Sequence, residues 1–81
     1  MKQLLWRCRR GIKEMDILLE NFVHTHYPAL SDADKQTFFT LLDEADPDLW
    51  DWIRGKTQPG NRAYEPLLAI LKTLRINQHA G

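Results

Sequence analysis

The 81-residue sequence has one cysteine, so no internal disulfide can form and a reducing compartment is the expected setting. It has no apolar run near the roughly 18 residues that cross a bilayer. Arginines follow directly after Trp6, so the start of the chain lacks the hydrophobic stretch of a secretory signal. These absences set the expectation of a cytoplasmic protein without direct membrane insertion. The four glycines are scattered, which excludes a Gly-rich phosphate loop. With one Cys there is no Cys-x-x-Cys pair. His24 and His26, two apart on a helix, point about 200° away from each other, so no metal site is expected. The formal net charge is zero, which argues against sequence-blind nucleic-acid binding.

What is present is charge in blocks. Residues 1–13 carry five cations and no acid; residues 14–51 carry ten acids and one cation, Lys35. Residues 52–81 carry five cations and one acid, Glu65. Either the basic ends fold back against the acidic middle or they form separate surfaces. The densest stretch is Trp6-Arg7-Cys8-Arg9-Arg10-Gly11-Ile12-Lys13-Glu14-Met15-Asp16, where both signs crowd together. Arginine supplies planar, multi-donor contacts, so this stretch is the candidate interaction site.

The apolar residues recur with a helical period throughout. Lys2 to Arg10 predicts a short helix with Leu4, Leu5 and Cys8 on one side, ended by Gly11 at C′. Ile12, Met15, Leu19, Phe22 and Val23 mark one face of a second helix, from Ile12 to about His26. Tyr27-Pro28 ends it, since a residue before Pro is pushed out of the α region. Ser31 caps a third helix whose inner stripe is Phe38, Leu41, Leu42 and Ala45. A fourth opens with Asp46 as N-cap and Pro47 at N1, buries Leu49, Trp52 and Ile53, and stops at Gly55. In the last helix, Leu67, Leu68, Ile70, Leu71 and Leu74 face inward. Pro66 forces this helix to begin near Glu65 or to have an irregular first turn after Asn61, and Gln78 to Gly81 are expected to fray. The expected fold is all-α: a single domain, residues 1–81, forming a compact bundle of five short helices.

A search for catalytic chemistry yields little. Cys8 lies among arginines that can lower a thiol pKa. Its position also suits a small buried hydrophobe, and no base is placed beside it, so a structural role is expected. Asp43, Glu44, Asp46, Asp48 and Asp51 lack the ligand spacing of a calcium loop and read as a solvated face or helix caps. Trp50 and Trp52 cannot share one face; both are expected to pack, in different parts of a small core, and an exposed Trp acting as a binding hot spot is the alternative. No catalytic residue is assigned, and the chain is not expected to be an enzyme.

Cys8-Arg9-Arg10-Gly11-Ile12-Lys13-Glu14-Met15-Asp16 resembles the Arg-Gly-x-x-Glu signature of the succinate dehydrogenase flavinylation factors, also called FAD assembly factors. Trp6 stands at the family's distance before the motif, and Asp46-Pro47-Asp48-Leu49-Trp50-Asp51-Trp52 resembles a second family segment. The resemblance spans nearly the whole chain and implies a bacterial, chaperone-like helical protein. Such a factor binds the flavoprotein subunit of succinate dehydrogenase or fumarate reductase and promotes covalent attachment of FAD to it. Carried over by position, Arg10, Gly11 and Glu14 form the partner-binding motif, bordered by Arg9, Trp6 and Asp16. No cofactor is expected to be bound stably, FAD being handled through the client, and a monomer is expected. The alternative is an antitoxin-type protein binding a small membrane-associated toxin, a label also given to bacterial members of this family.

Overall fold

The computed structural model describes residues 2–80 and the side chains of residues 3–77. Five α-helices follow one another: α1 (Lys2–Arg7), α2 (Lys13–Thr25), α3 (Asp32–Leu42), α4 (Asp46–Arg54) and α5 (Glu65–Ala80). Two 3₁₀ turns, Tyr27–Ala29 and Arg62–Tyr64, join α2 to α3 and α4 to α5. No strand occurs among the described residues, so the all-α, five-helix expectation holds.

α2 is the central element. Met15, Leu18, Leu19, Phe22 and Val23 are wholly buried, and α5, whose Leu67, Leu68 and Leu71 are buried in the same core, packs against α2. The sequence pattern had marked this face without Leu18, which widens it to two residues per turn. Phe22 stacks on Phe38 of α3 with ring centroids 4.7 Å apart, and Tyr27 leans on the same Phe38 at 5.9 Å. Burying each large apolar side chain contributes about 1.5–3 kcal/mol, so this face is the main source of stability.

The helix ends follow local chemistry, with three corrections. Ser31 Oγ accepts from Asp34 N–H at 3.1 Å, as its type and position predict. Asp46, expected as the N-cap of α4, is instead its first residue, and Pro47 follows inside the first turn. Ala45 takes the extended cap conformation and is exposed, so it leaves the inner stripe proposed for it. The carboxylate of Asp46 is used elsewhere, by Arg10. α1 ends at Arg7 and unwinds through i→i−3 bonds from Cys8 and Arg9, so Gly11 lies four residues beyond the helix and is not its C′ residue. Pro66 is accommodated by both expected devices together. Asn61 Oδ1 caps the 3₁₀ turn through Ala63 N–H at 2.9 Å, and α5 starts at Glu65, so the proline ring meets no upstream helical carbonyl. α5 runs to Ala80, and Gly81 lies outside the described residues.

The basic ends do fold against the acidic middle. Arg7 pairs with Asp43, Arg10 with Asp46, and Arg75 with Glu14. The aspartates read as a solvated face therefore include two partners for the first arginine cluster. No described helix is long and apolar enough to cross a membrane.

Candidate functional site

The link between α1 and α2, residues 8–12, is held from three directions. From below, Cys8 is fully buried in the core. Burial pushes its thiol up to about 11, and Glu20 adds to the rise while Arg10 and Arg7 oppose it. At neutral pH Cys8 is therefore a protonated core residue, and the reactive-thiolate possibility is closed. From α2, the carboxylate of Asp16 reaches back to the link. It accepts from Arg10 N–H at 2.7 Å and from Gly11 N–H at 3.3 Å. Ile12 in the N-cap position has no side-chain cap of its own, so Asp16 supplies the negative charge that favours the start of α2.

The third hold is the side chain of Arg10. Its Nε donates to Asp46 Oδ1 at 2.5 Å, Nη2 donates to the Glu44 carbonyl at 2.6 Å, and Nη1 donates to the Leu42 carbonyl. Leu42 is the last residue of α3, whose terminal carbonyls have no partner within the helix. One guanidinium thus satisfies the end of α3, pairs with an acid in the first turn of α4, and ties both to the α1–α2 link. Its side chain is only 13% exposed. Glu44 is shared further: its carboxylate accepts from the Tyr64 hydroxyl at 2.8 Å. Burial first, then this bond and the Glu44 charge, push the Tyr64 phenol up to about 12.

Beside this locked corner lies an open surface. Trp6 is 72% exposed, the largest aromatic among the exposed apolar residues. It borders two hollows. One, of about 240 Å³, is lined by Leu5, Trp6, Arg9 and Glu20. The other, of about 420 Å³ and wide open, is lined by Trp6, Arg7, Arg9, Arg10 and Asp46. Arg9 is exposed and contributes to both. An exposed indole next to the exposed guanidinium of Arg9 has the composition of a protein-binding hot spot. Trp50 and Trp52, by contrast, are half-buried against the core, as expected.

Comparison with known proteins decides the family. The model of a family described as flavinator of succinate dehydrogenase matches residues 2–75. The chain belongs to this family. Its relatives include the FAD assembly factor SdhE of Coxiella burnetii, 37% identical over 73 residues covering 90% of this chain and 89% of the relative. The FAD assembly factor SdhE of a Serratia species is 36% identical over 73 residues, 90% of this chain and 83% of its own. That of Photorhabdus laumondii is 40% identical over 70 residues, 86% of this chain and 76% of its own.

Within this flavinator-family chain, the six residues singled out by sequence fall into distinct settings. Trp6 and Arg9 stand open at the surface. Gly11 makes the bend, with φ of 94°, a value that favours glycine. Arg10 and Asp16 are committed to hydrogen bonds inside the molecule. Glu14, in the first turn of α2, accepts from Arg75 Nε at 3.2 Å and lines neither hollow. The structure therefore brings Trp6, Arg9 and Arg10 to one rim, seats Asp16 behind it, and turns Glu14 toward α5. Sequence reasoning missed Asp46, Glu44 and Arg75 as members of this arrangement. A surplus of arginines at one link signals that carboxylate partners are needed, but the choice among ten acids in the middle of the chain is made only by the fold.

Proposed function

We propose that this chain binds the flavoprotein subunit of succinate dehydrogenase, or of the related fumarate reductase, and promotes covalent attachment of FAD to it. The observation that carries this reading is the exposed Trp6 indole beside Arg9, standing on a link that Arg10 and Asp16 hold rigid. A rigid anchor loses little conformational entropy when it docks. The family and its relatives supply the class of client.

In this reading Trp6 and Arg9 make contact with the client, Gly11 and Glu14 complete the surface, and Arg10 and Asp16 position it. The cationic rim fits an acidic patch on the partner, and the hollow between Leu5 and Glu20 leaves the indole free to enter an apolar pocket there. The chain supplies no catalytic group. It acts by binding the flavinylation-competent state of the client more tightly than other states, which shifts that equilibrium. FAD is held by the client throughout, and the factor works as a monomer in the cytoplasm.

The test is reconstitution of flavinylation. Purified flavoprotein subunit lacking covalent flavin is incubated with FAD and either the native chain, Trp6→Ala or Arg9→Ala. Covalent flavin is then read by fluorescence in a denaturing gel. Both variants are expected to fold normally and to lower the yield strongly. Normal flavinylation by both overturns the reading, as does a pull-down that recovers a small membrane-associated protein in place of the flavoprotein subunit.

A further inference from the structure

Arg75 lies in the later part of α5, 61 residues from its partner Glu14. Both side chains are about one-third exposed, at 29% and 33%. Arg75 has a second contact: its guanidinium carbon lies 5.5 Å from the centroid of the Trp50 ring in α4. Arg54 approaches the same ring at 5.3 Å and donates to Asp51 at 2.7 Å. Three helices thus contribute one alternating series: Glu14, Arg75, the Trp50 ring, Arg54, Asp51. Each cation at the indole carries its own carboxylate, which offsets the repulsion between two guanidiniums near one ring.

Such a series does little for stability, because partly exposed ion pairs are weak. It does restrict geometry. A glutamate has several rotatable bonds, and ordering it on docking costs side-chain entropy. The planar guanidinium, itself seated by an aromatic ring, fixes the direction of the carboxylate in a way that a lysine ammonium does not.

We propose that Arg75 is a positioning residue for the client surface: it holds the Glu14 carboxylate in the orientation that the flavoprotein subunit meets, and Trp50 seats Arg75. This rests on the reading of Glu14 as part of the docking surface. It makes α5, the element farthest in sequence from the Arg-Gly-x-x-Glu motif, a contributor to the motif's action.

The experiment compares initial flavinylation rates and thermal midpoints for Glu14→Ala, Arg75→Ala, the double variant, Arg75→Lys, and the charge swap Glu14→Arg with Arg75→Glu. Each alanine variant is expected to slow flavinylation about threefold or more, and the double variant no further than Glu14→Ala alone, the signature of two residues acting as one unit. Arg75→Lys falls between native and Arg75→Ala. The swap keeps the thermal midpoint near the native value but does not restore the rate. Losses that multiply in the double variant overturn the proposal, as does a swap that restores the rate. A normal rate for Arg75→Ala beside a slow Glu14→Ala overturns it while leaving the docking reading intact. A normal rate for Glu14→Ala beside a slow Trp6→Ala also removes it and leaves the Trp6 surface standing.

Discussion

Two corners of this molecule turn on a glycine with positive φ, Gly11 at 94° and Gly55 at 77°, and they are built by opposite means. The Gly55 corner is local. Gly55 N–H returns to the Trp52 carbonyl at 3.1 Å and Lys56 N–H to the Asp51 carbonyl at 2.9 Å, the paired bonds of a Schellman ending. Everything that shapes it lies within five residues. The Gly11 corner has no such closure. It is shaped by Asp16 from the next helix and by Arg10, whose partners lie 32 to 36 residues away. A local corner ends a helix; a corner held from a distance fixes where two pairs of helices stand relative to each other. The exposed Trp6 and Arg9 flank the second kind.

The strongest way to break the comparison is Arg10→Ala. It strands the Leu42 and Glu44 carbonyls and the Asp46 carboxylate, and is expected to cost about 3 kcal/mol in urea denaturation. No deletion of a polar side chain at the Gly55 corner should approach that, because backbone bonds close it. Asp16→Ala comes next, at about 1–2 kcal/mol, because two backbone N–H groups lose their acceptor. A third pair of variants sharpens the contrast. A Cβ at Gly11 or at Gly55 meets nothing within 4 Å, so Gly11→Ala and Gly55→Ala differ from the native chain only in backbone conformation. Each should cost about 1 kcal/mol. In the flavinylation assay only Gly11→Ala should fall, while Gly55→Ala keeps the native rate. Equal losses in both would dissolve the distinction between the corners.

A smaller effect is set by pH. The Tyr64 phenol, tied through Glu44 to the Gly11 corner, rises from 10.0 to about 12 on folding. Its folded pKa lies above its unfolded value, so the folded state binds the proton more tightly. This contribution is complete below pH 10 and is lost as pH rises from 10 to 12. Cys8 acts in the same sense between 9.0 and about 11. Thermal midpoints should therefore decline above pH 9, and Tyr64→Phe should flatten the upper part of that decline. The smallest change in stability belongs to Trp6→Ala. With 72% of the residue already in solvent, it should shift stability by less than about 0.5 kcal/mol while lowering flavinylation most.

Much of the fold is legible in the sequence. The helical period of Met15, Leu19, Phe22 and Val23 marks α2, Ser31 caps α3, and Gly55 ends α4, because each signal acts over a few residues. The misreadings share one cause. Asp46 has the chemistry of an N-cap, yet a distant guanidinium takes its carboxylate; Ala45 holds the cap position and Asp46 is the first helical residue. Gly11 has the chemistry of a C′ residue, yet α1 has already unwound at Cys8. At the candidate site, exposure separates residues that the sequence groups together. Arg9 and Arg10 are neighbours of the same type, and only the α3–α4 link decides that one is consumed by the fold and the other is left at the surface. Glu14 belongs to the motif by sequence, and its bond to Arg75, 61 residues away, ties it to α5 in a way that no local signal announces.

The guanidinium of Arg10 has a consequence for genetics. Because it stitches together parts of the chain that no local signal joins, its loss should produce conditional alleles: active when cells are grown cool and failing when they are warmed. Loss of Trp6 or Arg9 should produce alleles equally defective at every temperature. Growth on succinate as carbon source, scored across a temperature range, would sort the residues of one short motif into those that build the platform and those that stand on it.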